Sequence, residues 1–184
     1  MTPGSGAEAD RKSILAHYER YLGETVGGWS QDAAGVRLPF DVVRFDNAPH
    51  AGASTFATVG LSEVALRSPR KAVRMELVLA APGDAPAVDA VRVIVRVGEE
   101  MLARRQALLR GDLVKLTDTR SVYASVPVYY PDGMSQFNGV AVCWLFAVFD
   151  SEAQYVKQRG WEAFESRLVD ADPDLVDPGR SPVV

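Results

Sequence analysis

The sequence predicts a single α+β domain in which a mixed or antiparallel sheet is flanked by helices. Three observations point there. Residues 8–22 carry apolar positions at helical spacing, residues 35–81 break into short apolar runs separated by turn residues, and Val140–Phe149 is a ten-residue run without a charge. A chain of 184 residues, 47% of them hydrophobic, is long enough to bury one sizeable core. No internal repeat or linker divides it. Residues 1–7, rich in glycine and small side chains, have little to bury and are expected to fray, so the domain is placed over residues 8–184 with an irregular C-terminal tail.

In the first helix Ile14, Leu15, Tyr18, Tyr21 and Leu22 share one face, and Gly23 stands where a C-cap belongs. Residues 40–45, 54–59 and 73–79 then read as consecutive strands. In the last of them Arg74 and Glu76 alternate with Val73, Met75, Leu77 and Leu79, which fits a sheet with one solvated face. Residues 88–110 are compatible with two periodicities, since Val91, Val93, Val95 and Val97 alternate whereas Val91, Ile94, Val95, Gly98, Met101 and Leu102 follow a helix. Length decides for the helix, because a strand seldom exceeds about ten residues. Residues 112–116 read as a short strand and 117–139 as a long irregular stretch. Val140–Phe149 is too apolar to leave either face in water and is expected to be a central strand. Ser151 offers a cap for a following helix, Gly160 interrupts it, and Trp161, Phe164 and Leu168 begin another.

Composition narrows the function. Twenty basic and 24 acidic side chains give a net charge of −4, which argues against nucleic acid as a partner. Cys143 is the one cysteine and lies inside the apolar run, where a thiol behaves as a small hydrophobe; a disulfide scaffold is excluded and a reducing, cytoplasmic setting is expected. The first ten residues contain no apolar secretory core and no stretch approaches the length of a membrane span, so no membrane association is expected. The two histidines, His17 and His50, have no cysteine or carboxylate at ligand spacing, and neither a metal nor another cofactor is expected. A hydrolytic triad can be drawn from His50, Ser54 or Ser62 and Asp46. The sequence lacks the Gly-x-Ser-x-Gly turn that would expose such a serine, so His50 is read as a loop residue and the chain as a non-enzyme.

Two features point to a protein partner. Residues 150–177 carry eight acids against Lys157, Arg159 and Arg167, which is either a solvated face or a surface suited to a basic protein. Tyr123, Tyr129, Tyr130, Met134 and Phe137 crowd the 117–139 stretch and are candidate partner-binding anchors, with core packing as the competing reading.

The order of several short motifs resembles the bacterial Suppressor of fused-like (SUFU) domain family over roughly residues 14–182. The first helix carries His-Tyr-Glu-Arg-Tyr-Leu-Gly at 17–23. Thr58, Gly60, Leu61 and Ser62 match the family's Thr-x-Gly-Leu-Ser turn, and Arg74 and Glu76 its Arg-x-Glu-Leu strand. Leu-Arg-Gly at 109–111, Phe-Ala-Val-Phe at 146–149 and Asp-Pro-Gly-Arg-Ser at 177–181, with Arg180, continue the series. One departure is Asp150-Ser151-Glu152, where the family has a proline before the acidic residue. The resemblance implies an α+β domain without catalytic residues that acts by binding proteins. Animal members sequester a transcription factor, and bacterial members often resemble immunity proteins that neutralise a cognate toxin by covering it; the resemblance thus implies an immunity-type protein, with a regulatory or scaffolding binder of a peptide segment as the alternative. Thr58, Gly60, Leu61, Ser62, Arg74, Glu76 and Arg180 would be signature positions with a structural role.

Overall fold

A computed structural model describes residues 5–32 and 34–184, with side chains described from Glu8 onward. The stretch expected to fray lies, for residues 1–4, outside the described residues. The chain runs α1 (Ser5–Leu22), β1 (Gly27–Gln31), β2 (Arg37–Asp46), β3 (Ala53–Val59), β4 (Leu66–Arg67), β5 (Ala72–Pro82) and α2 (Ala87–Arg104). It continues through β6 (Leu113–Lys115), β7 (Arg120–Ser125), β8 (Gln136–Phe137), β9 (Val140–Phe149), α3 (Asp150–Arg159) and α4 (Trp161–Ala171). The strands form one sheet in the order β1-β2-β3-β5-β9-β7-β6, with β4 beside β5 and β8 beside β9. Every pairing is antiparallel except that of β5 with β9, which is parallel.

The uncharged run became the middle of the sheet, as its composition requires. Along β9, Val140, Val142, Trp144, Phe146 and Val148 face a core shared with α1, α3 and α4. Ala141, Cys143 and Leu145 face the opposite core, where α2 contributes Ala90, Val91, Ile94, Val97 and Met101. A strand covered on both faces has no polar side to spare. Burial pushes the Cys143 thiol up to about 12, so it stays protonated and serves as packing. Gly98 lets α2 approach the sheet: a Cβ there would lie 2.4 Å from Phe40 Cζ. Gly98→Ala is therefore expected to cost about 1–3 kcal/mol by overpacking, read as a lower urea midpoint at unchanged slope.

Four sequence expectations need correction. The 88–110 helix ends at Arg104, because Arg105 adopts a left-handed conformation (φ 50°) and Gln106 bridges Arg67, which draws the chain back to the sheet. The 117–139 stretch is not irregular throughout: β7 pairs with β9 from Arg120↔Phe149 to Ser125↔Trp144. Its serines hid it, yet Ser121 and Ser125 are both buried by that pairing. Ser151 does not cap α3. The N-cap is Phe149, whose N–H donates to the Glu152 carboxylate at 2.9 Å, while the Ser151 hydroxyl donates to the Val184 carbonyl. Lastly, the Arg74/Glu76 face of β5 is closed to solvent at Glu76, while the Arg74 side chain stays partly exposed. Tyr18 of α1 packs over it, and Glu76 has no exposed surface.

Candidate functional site

Two buried carboxylates organise the signature residues. The Glu76 carboxylate accepts from the Thr58 hydroxyl (2.5 Å), the Gly60 N–H (3.0 Å), the Ser62 N–H (3.0 Å) and the Ser62 hydroxyl (2.7 Å). Thr58 Oγ1 in turn accepts from the Leu77 N–H at 2.8 Å. Gly60 makes this possible with φ of 102°, a conformation costly for other residues, and a Cβ there would meet the Arg11 guanidinium at 2.7 Å. Leu61, without exposed surface, anchors the short turn that follows. Two residues along β5, Arg74 Nε donates to the Ser62 carbonyl at 2.8 Å and its other end reaches Asp10. The carboxylate thus ties β5 to the β3 turn. Burial pushes the Glu76 carboxyl above the usual range, and the donors from Thr58, Ser62 and Gly60 only partly offset this.

The second centre ties the C-terminal tail to β9. Arg180 donates from both terminal nitrogens to the two Glu152 oxygens at 2.7 and 2.8 Å, with neither side chain more than 5% exposed. The Val183 N–H adds a further donor to Glu152 at 3.0 Å. Arg180 also donates to the Ala147 carbonyl at 3.3 Å.

The aromatic candidates divide. Tyr123, Tyr130 and Met134 are buried in the α1/α3/α4 core, so as partner-binding anchors they are corrected to packing residues. Tyr123 donates to Glu165 and Tyr130 pairs with Thr55 Oγ1, and burial raises both hydroxyls far above their ordinary range. Tyr129 and Phe137 are half-buried. Tyr129 stacks on Trp144 with ring centroids 4.7 Å apart and hydrogen-bonds the tail at Pro173 and Leu175. Phe137 packs on His17.

No catalytic constellation is assembled from the histidine and the serines. His50 is exposed, with Nδ1 3.1 Å from the carbonyl of Ala51. The Ser54 hydroxyl donates to Asp46 and the Ser62 hydroxyl to Glu76, so neither serine is engaged by His50. Among the described residues no group of three or more His, Cys, Asp or Glu is gathered as for a metal, and no helix is long and apolar enough to cross a membrane.

Strand pairing itself creates a further cavity. The β5–β9 ladder runs only from Arg74↔Val140 to Leu79↔Leu145, although β5 continues to Pro82 and β9 to Phe149. Beyond that point β5 stays with β3, from Ala80↔Thr55 to Pro82↔Ala53, and β9 stays with β7, from Phe146↔Tyr123 to Phe149↔Arg120. The two central strands fork. A cavity of about 360 Å³ lies in the fork, walled by Ala80 to Pro82 and Phe146 to Ala147, and bounded by Pro86, Ala90 and Val93 at the start of α2 and by Leu175, Val176 and Pro178 of the tail. The facing edges of these two strand ends are not paired to each other, and the Ala147 carbonyl is met there by Arg180. Sequence reasoning missed this site, since no residue type marks a ladder that stops.

The described residues thus define an α+β domain, a mixed sheet between helices stitched by two buried carboxylates. The pattern of the Suppressor of fused protein (SUFU) family matches residues 37–181, and the chain belongs to that family. Its fold is similar to the crystal structure of a SUFU homolog from Neisseria gonorrhoeae (TM-score 0.77, 15% identity, 96% of this chain and 98% of that one). It is also similar to a chain of the Sufu–Fu complex (TM-score 0.61, 14% identity, 91% and 85%) and to Drosophila Suppressor of Fused (TM-score 0.64, 14% identity, 95% and 51%). The chain spans about half of the Drosophila chain. No curated protein sequence matches it.

Proposed function

We propose that this is a non-catalytic protein-binding domain that receives an extended segment of a partner in the fork between β5 and β9. The observation that carries the reading is the ladder that ends at Leu79↔Leu145 while both strands continue. Strand edges that are not paired to each other and flank an apolar cavity suit an added strand, which would form main-chain bonds beside the Ala147 carbonyl that Arg180 holds and place alternate side chains in pockets. Membership of a family that includes a protein solved in the Sufu–Fu complex supports the same reading.

The finer role is that of a cytoplasmic immunity-type protein that neutralises a toxin by occlusion. Of the eight acids in residues 150–177, Glu152 and Glu165 are spent on Arg180 and Arg110. Of the other six, Asp150 lies in α3, and the remaining five give an acidic surface on α4 and the tail suited to a basic toxin domain. Ala81 lines the fork and is half-buried, so Ala81→Trp plugs the cavity at the surface. Co-expression with the toxin encoded beside this chain is expected to restore growth with the wild type and to lose rescue with Ala81→Trp. Equal rescue by Ala81→Trp moves the interface away from the fork, and absence of rescue by the wild type removes the immunity role.

A further inference from the structure

We propose a second contact site on this protein-binding domain: a socket between α4 and the β7–β9 sheet that takes one large apolar side chain from a partner whose flanking residues are cationic. This rests on the protein-binding reading above but not on the fork. The socket encloses about 240 Å³, less than the roughly 300–1,000 Å³ of small-molecule sites and suited to a single aromatic side chain. Its walls are Trp144, Phe146, Tyr129 and Leu168. Its lip carries Val128, 62% exposed, and Val169, 79% exposed, which extend the apolar wall to the surface.

A second observation points to an occupant. Trp144 is 1% exposed and its indole N–H has no acceptor among the described residues. Buried donors of this kind are nearly always satisfied; this one is sealed from solvent, so a backbone carbonyl carried in with the anchor would meet it only as the socket widens around that anchor. Polar groups nearby are not free to do so. Glu165 is held by Arg110, Tyr123 and Ser125, and Arg110 lies over the Trp161 ring at 4.5 Å.

Charge selects the partner. Glu162, Asp170 and Asp172 rim the socket and the groove that shares Arg110, Glu165 and Val169 with it, and all three are exposed. Arg110 is the one cation among the lining residues, and Glu165 neutralises it. A cationic neighbourhood around the anchor is therefore attracted and an acidic one repelled.

The test titrates end-blocked pentapeptides into the full chain and follows the Trp144 indole and the Val128 and Val169 methyls by NMR. Lys-Lys-Phe-Lys-Lys is expected to shift all three. Lys-Lys-Ala-Lys-Lys should bind about tenfold or more weakly, the effect of burying one large apolar side chain. Glu-Glu-Phe-Glu-Glu should not bind, and Val169→Asn should abolish the response. Equal affinity for the phenylalanine and alanine peptides overturns the socket, as does equal affinity for the acidic peptide. Val169-dependent dimers without peptide overturn it too, by making a second copy the occupant. The response is expected to survive Ala81→Trp, and its loss in that variant would place the peptide in the fork instead. Conversely, a chain that binds its partner through the fork but shows no Trp144 shift loses the socket and keeps the fork.

Discussion

Glu152→Ala is expected to lower the unfolding free energy by about 3–5 kcal/mol, because it leaves the Arg180 guanidinium buried without its counter-charge. Phe149 and Val183 lose their acceptor in the same step, so the start of α3 and the end of the tail loosen together. Arg180→Ala should be comparably costly for the mirror-image reason. Arg180→Lys should recover little, since a point charge cannot donate to both Glu152 oxygens in the fork-to-fork geometry seen here. The pair is expected to be strongly coupled: the combined replacement Glu152→Leu with Arg180→Met should cost much less than the sum of the single changes. Urea unfolding of these variants, with Glu152→Leu and Arg180→Met also made singly, measures this, and additive single-mutant effects would show that the two side chains do not act as a unit.

Glu76→Ala is the second large loss, about 3–5 kcal/mol, because it strands the donors of Thr58, Gly60 and Ser62 and leaves a cavity between β3 and β5. Glu76→Gln keeps the shape and one acceptor oxygen, so about 1–3 kcal/mol is expected. Glu76 also contributes a pH dependence of definite sign. Its carboxyl is held above the ordinary range in the folded state, so between the unfolded value near 4.5 and the raised folded value the native state binds more protons than the unfolded one. Stability from this group is therefore present below the unfolded value and falls as pH rises through the folded one. Glu76→Gln should flatten that part of the pH–stability curve, and an unchanged curve would assign the slope to other groups.

How far the sequence revealed this molecule depends on where the information sits. Val140–Phe149 announced its place because an uncharged run can only be covered on both faces, and the structure covers it so. α1, α3 and α4 followed from apolar spacing, and β2, β3 and β5 from short runs between turns. By contrast, β7 was hidden because Arg120, Ser121 and Ser125 look like loop residues, and only pairing with β9 makes them strand. The end of α2 was misjudged because Arg105 turns left-handed to let Gln106 reach Arg67, a contact nearly forty residues away in the chain.

The signature residues were visible as residue types, but their roles were not. Glu76 reads as a solvated strand position until α1 is laid over it, and Arg180 reads as a tail residue until it finds Glu152, 28 residues earlier. The fork leaves no trace in composition at all. It is a property of two strands that part company, and each of them is ordinary by itself.

Amide hydrogen exchange on the chain alone and in complex with its partner addresses the fork directly. Slowed exchange at Ala80, Ala81 and 146–148, with the outer edges at β1 and β6 unchanged, is the predicted result. Protection confined to those outer edges, with the fork exchanging as in the free chain, would contradict the account.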